Sequence, residues 1–201
     1  MIKDKNISWN VKREFISVHQ MTGRDADMAT VLGAGAAVFQ EIGSSSQLAG
    51  LAIGAAGDEI FHSWKIPWDL DRNLPIQARL LFVHETTDAD TPDWLVNMKG
   101  RAEAEAINVA TSSPDATFTF PAKAVTETGY SLESTAWKSS GSNSGLSATD
   151  LLAMIAIECN GLGDAGADEI TLLGIELAYT IKATTDTPHR DTTAVALSDL
   201  Y

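Results

Sequence analysis

Hydrophobic and polar residues alternate with a period of two along much of this chain. Ile7, Trp9 and Val11 alternate with Ser8, Asn10 and Lys12. Further on, Ile60, His62, Trp64 and Ile66 share one phase and Glu59, Phe61, Ser63 and Lys65 the other, until Pro67 ends the run. After a turn rich in Asp, Asn and Pro, residues Ile76, Ala78, Leu80, Phe82 and His84 alternate with Gln77, Arg79, Leu81 and Val83. Late in the chain Leu173, Ile175, Leu177, Tyr179 and Ile181 make one wholly apolar phase. Successive side chains of a strand point to opposite faces, so this is the pattern of sheets with one buried face.

Shorter strand candidates lie at 37–42, 48–53, 94–99, 116–120 and 130–137, separated by clusters of Gly, Ser, Asp and Pro. Eight or nine short strands with regular turn signals predict an all-β chain, an antiparallel β-sandwich of jelly-roll type. Two segments read differently. Residues 101–106 alternate Ala with Glu, strong helix formers, and predict one or two helical turns. Ser147 to Asp150 has the form of a capping box before the apolar run 151–157, which also reads, and reads better, as a buried central strand. Strand and helix both stay open for 151–158. The expected organisation is an N-terminal strand or arm at 1–30, the sandwich at 31–182, and a Thr/Asp-rich C-terminal arm at 183–201.

Charge narrows the function classes. With 27 acidic and 14 basic residues the net charge is −13, which argues against a surface that tracks nucleic-acid phosphates or binds an anionic membrane. Hydrophobic residues at 44% and charged ones at 20% are globular composition. The single cysteine, Cys159, excludes an intrachain disulfide and a Cys-based zinc site. The longest apolar run, 151–157, is far shorter than the ~20 residues of a membrane span. The first residues lack an apolar signal core, so the chain is expected to stay in the compartment where it is made.

Motifs that could carry chemistry fail on context. Gly161, Gly163 and Gly166 spell G-x-G-x-x-G, but Asp164 would set a carboxylate beside bound phosphates and a strand-like segment follows, so a glycine-rich turn is expected. Gly141 and Gly145 frame Asn143 where a nucleophile elbow needs serine. His62 and His84 both lie in apolar phases; in a hairpin centred near Asp71 they would stand about 13 Å apart along the strand, too far to share a metal. Asp69, Asp71 and Asn73 mimic the start of a calcium loop, but Leu74 and Leu80 replace its glycine and glutamate. Asp88, Asp90 and Asp93 crowd hard oxygen donors into one loop and are the calcium candidates. Trp68, beside Pro67, is the candidate for a ligand or interface contact. No catalytic set survives, and no cofactor is expected apart from calcium.

The stretch from Gly57 to Asp69, with a strand ending in a Pro-x-Asp corner, then 75–82, 93–99 and the closing 168–180, resembles the small jelly-roll virion proteins of tailed bacteriophages. The resemblance covers about 57–181 and is one of pattern, without a catalytic signature. It implies a non-enzymatic capsid decoration (cement) protein, a homo-oligomer expected to be a trimer. Such a protein would clamp neighbouring major capsid subunits on the virion, with its terminal arms reaching across subunit seams. The alternative is a carbohydrate- or receptor-binding sandwich module of a phage tail or fibre, using Trp68 and the 88–93 loop.

Overall fold

The computed structural model describes residues 11–24, 37–42, 49–87, 90–105, 113–126, 128–163 and 169–182. Among them twelve strands form: β1 (Val11–Ser17), β2 (Thr22–Arg24), β3 (Val38–Glu41), β4 (Ala49–Ala52), β5 (Glu59–Lys65), β6 (Gln77–His84), β7 (Asp93–Ala102), β8 (Ala116–Phe120), β9 (Ser131–Ser134), β10 (Lys138–Ser139), β11 (Asp150–Gly161) and β12 (Ile170–Thr180). A short 3₁₀ turn, Val18–Gln20, follows β1. All pairings are antiparallel, in two sheets. The first sheet runs β10-β6-β12-β4-β3, with β1 also on β12 and β9 also on β6; the second runs β2-β5-β11-β7-β8. From β4 to β7, and again from β11 to β12, the chain crosses from one sheet to the other. The chain is an antiparallel β-sandwich of jelly-roll-like layout.

The core lies between the sheets. Ile60 and Trp64 of β5, Ala153, Ile155 and Ile157 of β11, and Val96 and Met98 of β7 face Ala78, Leu80 and Phe82 of β6 and Ile175 and Leu177 of β12. Each large side chain fully buried there contributes about 1.5–3 kcal/mol. Trp64 meets Tyr179 edge-on, with centroids 5.6 Å apart, and its indole N–H donates to Glu14 Oε2 at 3.0 Å.

The structure answers the open expectation and corrects others. Residues 150–161 are a strand: β11 has β5 on one side and β7 on the other, so its apolar run is that of a central strand. The capping signature before it folds as a turn, in which Asp150 Oδ2 accepts the Ser147 N–H at 2.7 Å. The helix expected at 101–106 does not form in its described part, because Arg101 and Ala102 complete β7 opposite β11 and a turn follows through Ala104, at φ 64°. The apolar phase of β12 is broken by a bulge between Leu172 and Gly174, so Ile170 and Leu172 face inward before it and Ile175, Leu177 and Tyr179 after it. A Cβ on Gly174 would lie 2.7 Å from the Phe15 ring, so β1 packs against the bulge only because no side chain stands there. Of the expected N-terminal strand or arm at 1–30, residues 11–24 are described, with β1 on β12 and β2 on β5. The expected arm at 183–201, and residues 1–10, lie outside the described residues.

Candidate functional site

β2 covers only the first part of β5, pairing Thr22, Gly23 and Arg24 with Phe61, Ile60 and Glu59. Beyond Phe61 that edge of β5 has no strand beside it among the described residues, and the 3₁₀ turn after β1 comes up instead. A cleft of about 320 Å³ opens there, lined by Gln20, Phe61, His62, Ser63 and Met154. Phe61 and Ser63 belong to the outward phase of β5, and Met154 sits opposite Ser63 on β11.

Two contacts fix this edge. His62 Nδ1 lies 2.9 Å from the Gln20 carbonyl oxygen. A carbonyl only accepts, so Nδ1 carries the proton, and in the neutral ring Nε2 remains an acceptor. The Ser63 hydroxyl donates to Met154 Sδ at 3.4 Å, a weak bond that a better acceptor would displace. The exposed Gln20, together with His62 and Ser63, thus lines the cleft beside a half-exposed phenyl ring and a thioether. Across the same outer face, Lys99 Nζ pairs with Asp115 Oδ1 at 2.7 Å and the Thr117 hydroxyl donates to Asn97 Oδ1 at 3.0 Å. The cleft therefore meets water through polar side chains, with the Lys99–Asp115 pair on the same face and the exposed Lys65 two residues beyond Ser63 on β5.

No family model matches this chain, and no curated protein matches it. Among solved structures, a xylan-binding module CBM15 is similar at a TM-score of 0.44 and 11% identity, covering 87% of this chain and 99% of that one. The CBM22-1 xylan-binding domain of Paenibacillus barcinonensis Xyn10C is similar at 0.37 and 11% identity, covering 86% and 83%. The CBM22-1 and GH10 modules of Clostridium thermocellum xylanase 10B give 0.43 and 13%, with 85% of this chain but 27% of that one covered. These TM-scores all lie below 0.5, and the likeness carries no argument about what this chain binds.

The candidates read from the sequence are not brought together. Trp68 is 85% exposed, at the corner where the chain leaves β5 for β6. The 88–93 loop follows the other end of β6, an eight-residue strand about 27 Å long, so Trp68 and that loop cannot form one site. Asp88 lies outside the described residues. Asp90 is fully buried and its Oδ2 lies 2.5 Å from His84 Nε2, while Asp93 Oδ2 accepts from Asn160 Nδ2 at 2.7 Å. These two aspartates are committed to different partners and do not converge as calcium ligands. Among the described residues no group of three or more His, Cys, Asp or Glu side chains is placed to hold a metal.

The β5–β6 hairpin assumed for the histidines does not exist, because the two strands lie in different sheets. His62 turns to Gln20 and His84 to Asp90 and the Thr86 hydroxyl. Asp69 pairs with Lys12 at 2.7 Å and Asp71 Oδ1 accepts the Asn73 N–H, so that acidic run is turn structure. Gly163, at φ 69°, turns the chain out of β11, and 164–168 lie outside the described residues. Cys159 is buried with its thiol pushed up to about 12 by desolvation and by nearby Asp93 and Asp58, which makes it a packing residue. Sequence reasoning passed over Phe61. The available signal was an aromatic ring in the otherwise polar phase of β5.

Proposed function

We propose that this chain is a non-catalytic β-sandwich module that recognises a saccharide in the cleft at the open edge of β5. The observation that supports this reading is the pairing of an accessible phenyl ring, Phe61, with three hydrogen-bonding side chains, Gln20, His62 and Ser63. A pyranose ring has an apolar C–H face and an equatorial rim of hydroxyls. Its face packs on Phe61 and Met154, and its hydroxyls reach the Gln20 amide, His62 Nε2 and the Ser63 hydroxyl. A shallow site with so few polar anchors fits a dissociation constant of about 0.1–1 mM, roughly 4–5.5 kcal/mol.

The test is calorimetric titration of the full chain with a panel of soluble neutral oligosaccharides, repeated with Phe61→Ala and Gln20→Ala. Saturable binding to at least one sugar, weakened at least tenfold by Phe61→Ala, supports the reading. Binding that Phe61→Ala leaves unchanged, or no binding across the panel, defeats it.

A second reading is the virion decoration protein implied by the phage resemblance. It is favoured by Val11, Phe15 and Leu132, apolar side chains exposed on the outer face of the first sheet. A surface of that kind suits burial against a major capsid subunit or another copy of the chain. Light scattering with and without EDTA separates the two: a stable trimer supports the decoration protein, and a monomer in both buffers removes its preformed clamp.

A further inference from the structure

The opposite side of the sandwich holds a second opening. There β8 is the edge of the second sheet, and β9 and β10 end the first sheet beside β6. Between them lies a separate cavity of about 310 Å³, with Phe120, Pro121, Lys123, Thr135, Ala136 and Lys138 in its walls. The cleft at β5 is across the width of the second sheet, near β2, so the two sites share no residue.

The polar inventory of this cavity is short. Thr135 Oγ1 accepts the Leu80 N–H at 2.9 Å, which leaves its own proton free to donate. Lys123 Nζ is held by Glu133 Oε2 at 2.5 Å and is already neutralised. Lys138 is half-buried on β10, and among the described residues no carboxylate lies within ion-pair distance of it. Pro121 has no N–H to offer. The walls are otherwise hydrocarbon, with the Phe120 ring at the end of β8.

Such a pocket is a poor host for a sugar, whose hydroxyls would be stripped of water without partners. It is complementary to a single negative charge on an apolar body. The Lys138 ammonium, with no ion pair among the described residues and set in a largely apolar lining, supplies a local attraction that must outweigh the repulsion of a chain of net charge −13. We propose that this cavity binds a small aromatic monocarboxylate, its carboxylate on Lys138 Nζ and Thr135 Oγ1 and its ring between Phe120, Pro121 and Ala136.

The experiment is a heteronuclear NMR titration of the full chain at pH 7 with three probes: sodium benzoate, benzamide and sodium glucuronate. Benzoate is expected to shift the backbone amides of 135–138 saturably, with benzamide and glucuronate at least tenfold weaker there. Lys138→Gln should weaken benzoate at least fivefold, and Lys138→Arg should retain it. No saturable shift with benzoate, or equal binding of benzamide, overturns the proposal even if the Lys138→Gln protein folds poorly. Equal binding of glucuronate overturns the apolar-body requirement. Phe61→Ala should leave these shifts unchanged, so failure here is distinguishable from failure of the saccharide reading.

Discussion

Lys123 Nζ stands 2.5 Å from Glu133 Oε2, joining the segment that leaves β8 to the first sheet's edge strand β9. Burial alone would raise the Glu133 carboxyl. The hydrogen bonds from Lys123 and Thr126, with the lysine charge, outweigh it and bring the group from 4.5 down to about 2. A carboxyl depressed in the folded state contributes stability above its unfolded value and loses it as pH falls through the folded one. Lys123 is partly exposed, so water reduces the contribution to about 1–2 kcal/mol. Glu133→Gln should therefore be less stable than the parent by about that amount at pH 6. Urea unfolding at pH 6, 4 and 3 should show the gap narrowing between pH 4.5 and about 2. A gap constant across this range would count against the assignment.

His84 and Asp90 are both without solvent exposure, and Asp90 also accepts the Val125 N–H through its backbone oxygen at 3.1 Å. Removing one partner strands the other in the core. Asp90→Ala is expected to cost about 3–5 kcal/mol. Combining it with His84→Leu should cost less than the sum of the single changes, because the stranded group is then gone. Denaturant midpoints of the four proteins in this cycle measure the coupling.

Gly145 has φ +76°, and a Cβ there would lie 2.2 Å from the Asp115 carbonyl oxygen. Both the backbone conformation and the neighbouring main chain exclude a side chain. Gly145→Ala should destabilise by about 2–4 kcal/mol, whereas Gly141→Ala, at φ +118° but with open space around it, should cost only its conformational strain of about 1–3 kcal/mol. Thermal unfolding of the pair should rank them in that order.

Cys159 is buried on β11 with its thiol raised to about 12. At pH 8 the folded protein should be modified by iodoacetamide far more slowly than the urea-unfolded chain, in proportion to the population that opens. Equal rates in both states would show that the thiol is accessible in the fold.

Much of the sandwich is legible in the chain because alternation is a direct image of burial. The segment 116–120 is β8 as expected, and 76–84 differs from β6 by its first residue. Legibility fails where neighbours in space outrank neighbours in sequence. A run such as 151–157 carries no period, and only β5 and β7 on its two sides make it a strand. The 101–106 stretch has helical propensity, yet Arg101 and Ala102 are drawn into the ladder with β11. The cleft brings Gln20 and Met154 to Phe61 from distant parts of the chain, so no local motif could announce it.

What the sequence determined by itself is the two-faced character of its strands, the acidic balance and the shortage of reactive groups. These follow from side-chain chemistry and from a pleat that sends successive residues to opposite faces. Which strands pair, where β12 bulges, and which outward side chains are left uncovered were decided only by the tertiary structure. Sheet order depends on closing loops between distant segments and packing both sheets without voids, which is a property of the whole chain at once.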